Sequence, residues 1–243
     1  VIIRTLYNFS YIKFRMTNIA QRITEIRQEL TQHINNGCVA SLIAVSKTYP
    51  PEAIQEAYHN AQQIAFGENY PQELANKVEQ LKNLPLEWHF IGNIQSNKTK
   101  LIAENAAWVH TLTNLNHATR LNNQRSDHLP PLQILIEVNI SNESSKHGLN
   151  NLAEIILLAK EINLLPNLKL RGLMGMASAT DDVELIKSQF NQLKSYQQQL
   201  NEHGFNLDQL SMGMSGDYIH ALECGATMIR IGSLIFGERN YDN

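Results

Sequence analysis

A short run of Val, Ile, Leu or aromatic residues, then a polar turn, then a stretch with helical periodicity: this unit recurs eight times along the 243-residue chain. The apolar runs are 41–46, 63–67, 87–92, 107–112, 133–140, 169–175, 209–214 and 227–232. Strands separated by helices pair in parallel, and strands buried on both faces read as continuous apolar runs. Eight such units predict an α/β fold, a single (β/α)8 TIM barrel with a preceding N-terminal helix. A doubly wound open sheet is the structural alternative. That fold usually carries a glycine-rich phosphate loop after its first strand, whereas the first run here leads into AVSKTYPP. Thr17 or Asn18 caps the leading helix, whose apolar positions are Ile19, Ile23, Ile26 and Leu30. Pro51 and Pro71 mark later helix starts, and Ile186, Phe190, Leu193 and Leu200 share one face of the clearest helix.

Charge and composition narrow the function classes. Twenty basic and 23 acidic side chains give a formal charge of −3 with no long like-charge run, which speaks against nucleic acid and anionic membrane as partners. Lys98 and Lys100 are too few for a nucleic-acid surface. Nowhere do about 18 apolar residues follow one another, so no membrane span is encoded. Cys38 and Cys224 match neither a disulfide framework nor paired zinc ligands, favouring a reducing, cytoplasmic setting. Residues 1–15 carry Arg4, Lys13 and Arg15 and no acid, while 16–243 carry 17 basic against 23 acidic residues. The leader fits neither a signal nor a transit pattern, and natural translation is expected to start at Met16. The barrel is assigned to 16–243 and the leader is left outside the fold.

Barrel chemistry sits where strands end and their following loops begin. The exits here present Lys47, Asn69, Asn93 and Gln95, Thr111, Asn139, Met174, Ser215, and Gly232 with Ser233. Lys47 follows the apolar run SLIAVS, so its amine projects into the mouth over hydrophobic walls, where lost solvation disfavours the ammonium and favours the neutral nucleophile. A snorkelling surface lysine is the plainer reading of such a residue. Gly213, Ser215, Gly216, Gly232 and Ser233 bring small side chains, hydroxyls and accessible N–H groups to the last two exits, where barrels often hold a phosphate. Alternatively, these glycines only permit tight turns. An amine and a phosphate cradle on one rim suggest pyridoxal 5′-phosphate (PLP), held as a Schiff base at one end and by its phosphate at the other. Arg230, two residues before Gly232, faces the mouth by strand alternation and can donate to the pyridine nitrogen; a structural ion pair is its alternative role. A permanently charged donor there discourages ring protonation and restrains carbanion chemistry.

Other chemistries lack their motifs. Gly213-Met214-Ser215-Gly216-Asp217 has aspartate where a nucleophile elbow needs its second glycine. The nine histidines show no zinc-protease pairing, and no Walker or dinucleotide fingerprint occurs.

Seven segments in order, AVSKTYP, FGENYPQE, WHFIGNIQSNK, VNISNESSKHGL, RGLMGMA, LSMGMSGDYIHAL and GATMIRIGSLIFGER, resemble the pyridoxal phosphate homeostasis protein family, also called the proline synthetase co-transcribed homologue family. The resemblance covers roughly 17–239 and implies one barrel akin to the N-terminal domain of alanine racemase. It implies PLP on Lys47, Ser215, Gly216, Gly232 and Ser233 at the phosphate, Arg230 toward the pyridine nitrogen, and Asn69, His89, Asn139 and Met174 near the pocket. Ser233 stands where many members have threonine, keeping the hydroxyl, and Gly175 and Asn93 also depart from the usual pattern. Lys146, in SSKHGL after the fifth strand, is either a second amine for aldehyde or another B6 vitamer, or a solvated loop lysine. The implied function is intracellular storage and delivery of PLP by a monomer, with apo-enzymes as recipients and no metal. The rival class is a PLP-dependent amino-acid racemase, which needs acid/base groups on both faces of the substrate.

Overall fold

Apolar segments of three to eight residues cannot bury both faces except inside a layered structure, and here they do so by closing on themselves. The computed structural model describes residues 18–33 and 39–237. The leader, Met16, Thr17 and Cys38 lie outside them. Eight parallel strands form a closed barrel in sequence order: β1 (Ser41–Val45), β2 (Ala65–Glu68), β3 (Glu87–Phe90), β4 (Trp108–Leu112), β5 (Leu132–Val138), β6 (Leu168–Gly175), β7 (Gln209–Ser211) and β8 (Met228–Ile231). The seam joins first to last, with Ile43 opposite Arg230 and Ala44 opposite Ile231.

The described helices are α1 (Ile19–Gln32), α2 (Pro51–Ala61), α3 (Pro71–Gln80), α4 (Thr99–Asn105), α5 (Leu115–Gln124), α6 (Leu152–Ile162), α7 (Val183–Glu202), α8 (Tyr218–Glu223) and α9 (Ser233–Phe236). Pro51 and Pro71 occupy the first helical positions, where a missing N–H leaves no bond unmade. Asn18 caps α1 through its side-chain oxygen, which accepts from Gln21 N–H at 2.8 Å. α1 buries Ile23, Ile26 and Leu30 and braces the seam: Arg22 donates to the Ile235 carbonyl at 3.0 Å, and the Tyr218 hydroxyl bonds Glu29.

Two apolar layers result. The larger lies between strands and helices and includes Phe66, Phe90 and Phe190, fully buried, each burial contributing about 1.5–3 kcal/mol. The smaller, Ile43, Ala65, Trp108, Leu135, Met174 and Met228, fills the barrel interior. Several strands stop before the apolar runs do. β7 ends at Ser211 rather than 214 because Gly213 turns the chain at φ +93°, with Ala221 Cβ 2.6 Å from where a side chain would begin. At the second run, Gln63 is no strand residue; its amide donates to the carbonyls of Leu42 and Ala65 at 2.8 and 2.7 Å and splices β1 to β2.

Candidate functional site

Successive residues of a strand point to opposite faces, so β1 sends Ile43 and Val45 inward and Lys47 follows them to the C-terminal mouth. A cavity of about 610 Å³ opens there. Val45, Ile91, Met174, Met176 and Met214 form its apolar walls; Lys47, Asn69, Ser215, Arg230 and Ser233 bring polar groups, and Gly216, Gly232 and Gly237 complete it. Lys47 is half-buried. Asn69 Oδ1 is buried without a hydrogen-bond partner, a costly state unless a donor arrives in the cavity. The N–H groups of Ser215, Gly216 and Ser233 find no acceptor among the described residues. A Cβ on Gly216 would meet nothing within 4 Å, so crowding does not demand that glycine.

Arg230 is 5% exposed and forms no ion pair among the described residues. Burial pushes its pKa down to about 10, opposed by the charges of Asp217 and Glu137, and it stays a cation at neutral pH. Its Nη1 donates to Ser211 Oγ at 2.6 Å and its Nη2 to the Gly175 carbonyl at 3.3 Å. Behind it a polar chain runs down the barrel axis: Ser211 Oγ lies 2.9 Å from His110 Nδ1, His110 Nε2 lies 3.0 Å from His89 Nδ1, and His89 Nε2 lies 3.0 Å from Glu87 Oε1. Burial holds the pKa of His89 below the ordinary histidine value, and that of His110 further below, because a proton there would also be opposed by one on His89 and by the Arg230 charge. With both rings neutral, the ends dictate every proton. The carboxylate only accepts and the guanidinium only donates, so each His carries its proton on Nε2 and Ser211 donates to His110.

Of the predicted residues, Lys47, Asn69, Met174, Ser215, Gly216, Arg230, Gly232 and Ser233 line this one cavity. His89 does not. It sits one interior layer below Ile91, stacked on Trp108 at 5.7 Å, and borders a second cavity of about 490 Å³ at the other end of the barrel, with Glu87, Ser41 and Met228. Asn139 does not line it either; its amide donates to the Glu143 carbonyl at 3.0 Å and shapes the loop that carries Lys146. Lys146 pairs with Glu143 at 2.9 Å and donates to the Ala177 carbonyl at 2.9 Å, outside the lining. Gly213 is a turn residue beside the cradle rather than part of its wall. Sequence reasoning missed His110, Ser211 and Glu137. The signal was present, since a buried polar residue inside an apolar strand run requires a partner.

The family described as alanine racemase, N-terminal domain, matches residues 16–240. A pyridoxal phosphate homeostasis protein of Pasteurella multocida is 47% identical over 228 residues, 92% of this chain and 97% of that one. The protein of the same name from Escherichia coli K12 is 43% identical over 234 residues, 93% and 99% of the two chains. Among solved structures, PipY of Synechococcus elongatus, determined with PLP bound, superposes with a TM-score of 0.80 at 32% identity over 90% of this chain and 100% of its own. An alanine racemase of Clostridium difficile shares the fold alone, with a TM-score of 0.72 at 14% identity over 91% of this chain and 58% of its own.

Proposed function

The chain belongs to the pyridoxal phosphate homeostasis protein family, within the wider alanine racemase N-terminal-domain family, and from that premise we propose that it holds PLP in the C-terminal mouth of the barrel for storage and delivery. One observation carries the reading. A primary amine, an unpaired buried acceptor, a permanent cation and a set of unused N–H donors surround a single cavity of about 610 Å³. The residues present fit the group: Lys47 takes the aldehyde end, Asn69 Oδ1 awaits a donor on the ring substituents, Arg230 meets the ring nitrogen, and Ser215, Gly216, Gly232 and Ser233 take the phosphate.

When bound, the group would supply an aldehyde carbon for reversible condensation with the Lys47 amine, with loss of one water. The chain's own residues do the rest. Val45, Ile91, Met174, Met176 and Met214 would limit water around the Lys47 amine. Arg230, locked as a donor by Ser211, keeps the ring nitrogen unprotonated and withholds the electron sink that carbanion chemistry needs. Among the described residues of the lining there is no Tyr, His, Cys or carboxylate to move a proton on the second face of a substrate, which favours a carrier over a racemase.

Absorbance of the purified protein with PLP, followed by borohydride reduction and peptide mapping, tests this. A band to the red of roughly 400 nm, expected for a protonated imine of this cofactor class, should be trapped on Lys47 and vanish in Lys47→Ala. Label on any other lysine, or amino-acid racemisation abolished by Lys47→Ala, overturns the reading.

A further inference from the structure

The residue after Lys47 has a backbone that its side chain disfavours. Thr48 lies at φ +68°, in the left-handed region, where β-branched residues are rare. Such conformations persist only when the surroundings over-determine them. The surroundings here are unusual in kind. Lys77 of α3 is 4% exposed, and its ammonium spends all three hydrogens on the Ser46 carbonyl at 2.8 Å, Glu68 Oε1 at 2.7 Å and Glu73 Oε1 at 2.7 Å. Glu68 Oε1 also accepts from the Ser46 hydroxyl at 2.6 Å. Glu73 Oε1 also accepts from the Thr48 N–H at 2.7 Å.

Every one of these bonds to the β1 exit ends on the residue before Lys47 or the residue after it. A buried ion cluster is a poor way to gain stability, since apolar side chains of similar volume commonly do as well or better. Its distinctive property is geometric: Lys77 and Glu73 hold the two peptide units that flank one side chain, while Glu68 holds the Ser46 hydroxyl and the Lys77 ammonium.

We propose that Lys77, Glu68 and Glu73 are positioning residues for Lys47: they hold Ser46 and Thr48 so that the strained turn delivers the amine into the mouth at the angle that condensation with an aldehyde requires. The inference rests on Lys47 being the amine that takes PLP. It goes further in assigning a role to residues that line no cavity and touch no ligand.

The test separates covalent capture from simple occupancy. Pyridoxine 5′-phosphate carries an alcohol where PLP has its aldehyde, so it fills the cavity without needing the amine at a set angle. In wild type, trapping on Lys47 is established first; its failure there defeats the functional reading and not the clamp. Glu73→Ala should then weaken PLP binding roughly tenfold, within the range spanned by one strained backbone residue, with slower growth of the imine band. Pyridoxine 5′-phosphate should bind within about twofold of wild type, since its contacts are untouched. Adding Thr48→Gly, which adopts positive φ without a Cβ penalty, should restore most of the lost PLP affinity. Equal loss of both ligands, no loss of either, or no recovery with glycine each overturns the proposal. Should Glu73→Ala not fold, Glu73→Leu, which fills similar space but offers the Thr48 N–H no acceptor, is compared with the same two ligands. Selective loss of PLP supports the clamp, and any other outcome rejects it.

Discussion

The two basic side chains of the mouth are supported in opposite ways. Beneath Lys47, outside the barrel wall, stands a cluster of full charges, Lys77 with Glu68 and Glu73. Beneath Arg230, inside the barrel, stands a chain of neutral groups, Ser211, His110 and His89, that reaches a carboxylate only at Glu87, at the far end. The charged cluster grips backbone, and it consumes its charge locally. The neutral chain orients a side chain and leaves its charge in the cavity, available to whatever lies there. A carboxylate placed directly on Arg230 would have fixed the guanidinium equally well and cancelled much of its field. Orientation by dipoles and orientation by ions are therefore not interchangeable where the oriented group must still act electrostatically.

Removing one member from each network should expose that difference most strongly. Lys77→Met leaves two carboxylates without their buried cation and should cost about 3–5 kcal/mol in urea unfolding, whereas Ser211→Ala, which strands one guanidinium N–H and one imidazole nitrogen, should cost about 1–3 kcal/mol. Similar losses from the two would erase the contrast.

Acid should strike the neutral chain next. His89 and His110 have folded pKa values below the unfolded value, so between the two values the unfolded chain binds more protons. Stability is then complete above the ordinary histidine pKa and declines as pH falls through it, by about 1.4 kcal/mol per pH unit for each ring. Glu68 has the opposite sign. Burial raises its folded pKa against the pull of Lys77, so its protonation does not favour unfolding in that window. Thermal midpoints recorded across the weakly acidic range should follow the histidines, and replacing His110 by Gln should flatten the slope. A slope unchanged by that substitution would place the acid sensitivity elsewhere.

The smallest effect is expected at the open end of the chain. Glu87 is half exposed and accepts a hydrogen bond from His89 Nε2. Glu87→Gln keeps a carbonyl oxygen for that bond and should change stability by less than about 1 kcal/mol. Nitrogen-15 chemical shifts should still report both rings protonated on Nε2. A switch of tautomer at His110 would mean that the carboxylate charge, and not the hydrogen-bond direction, orders the chain.

The barrel was readable because strands covered on both faces leave uninterrupted apolar runs, a pattern that survives even where the ends are misjudged. Lys47 and Arg230 were readable for a local reason, a basic side chain just after or just before the end of such a run. His89 was misjudged by one layer: the motif holding it reaches the mouth at Ile91, and alternation drops a residue two positions earlier into the interior. Asn139 stands at an exit as expected, yet spends its amide on its own loop. Lys77 and Glu73 carried the four-residue spacing of an ordinary surface helix pair, and nothing in one sequence says that such a pair lies under a neighbouring strand's exit.

The seam between the first and last strands has one more implication. Ile43 and Arg230 meet across it although nearly the whole chain separates them in synthesis, so amine and guanidinium share a rim only once β8 has docked. A nascent polypeptide emerging from the ribosome therefore displays Lys47 long before it owns Arg230. Under the proposed function, vitamer capture by the finished geometry becomes a late event, and the ligand itself a reporter that the ring has shut.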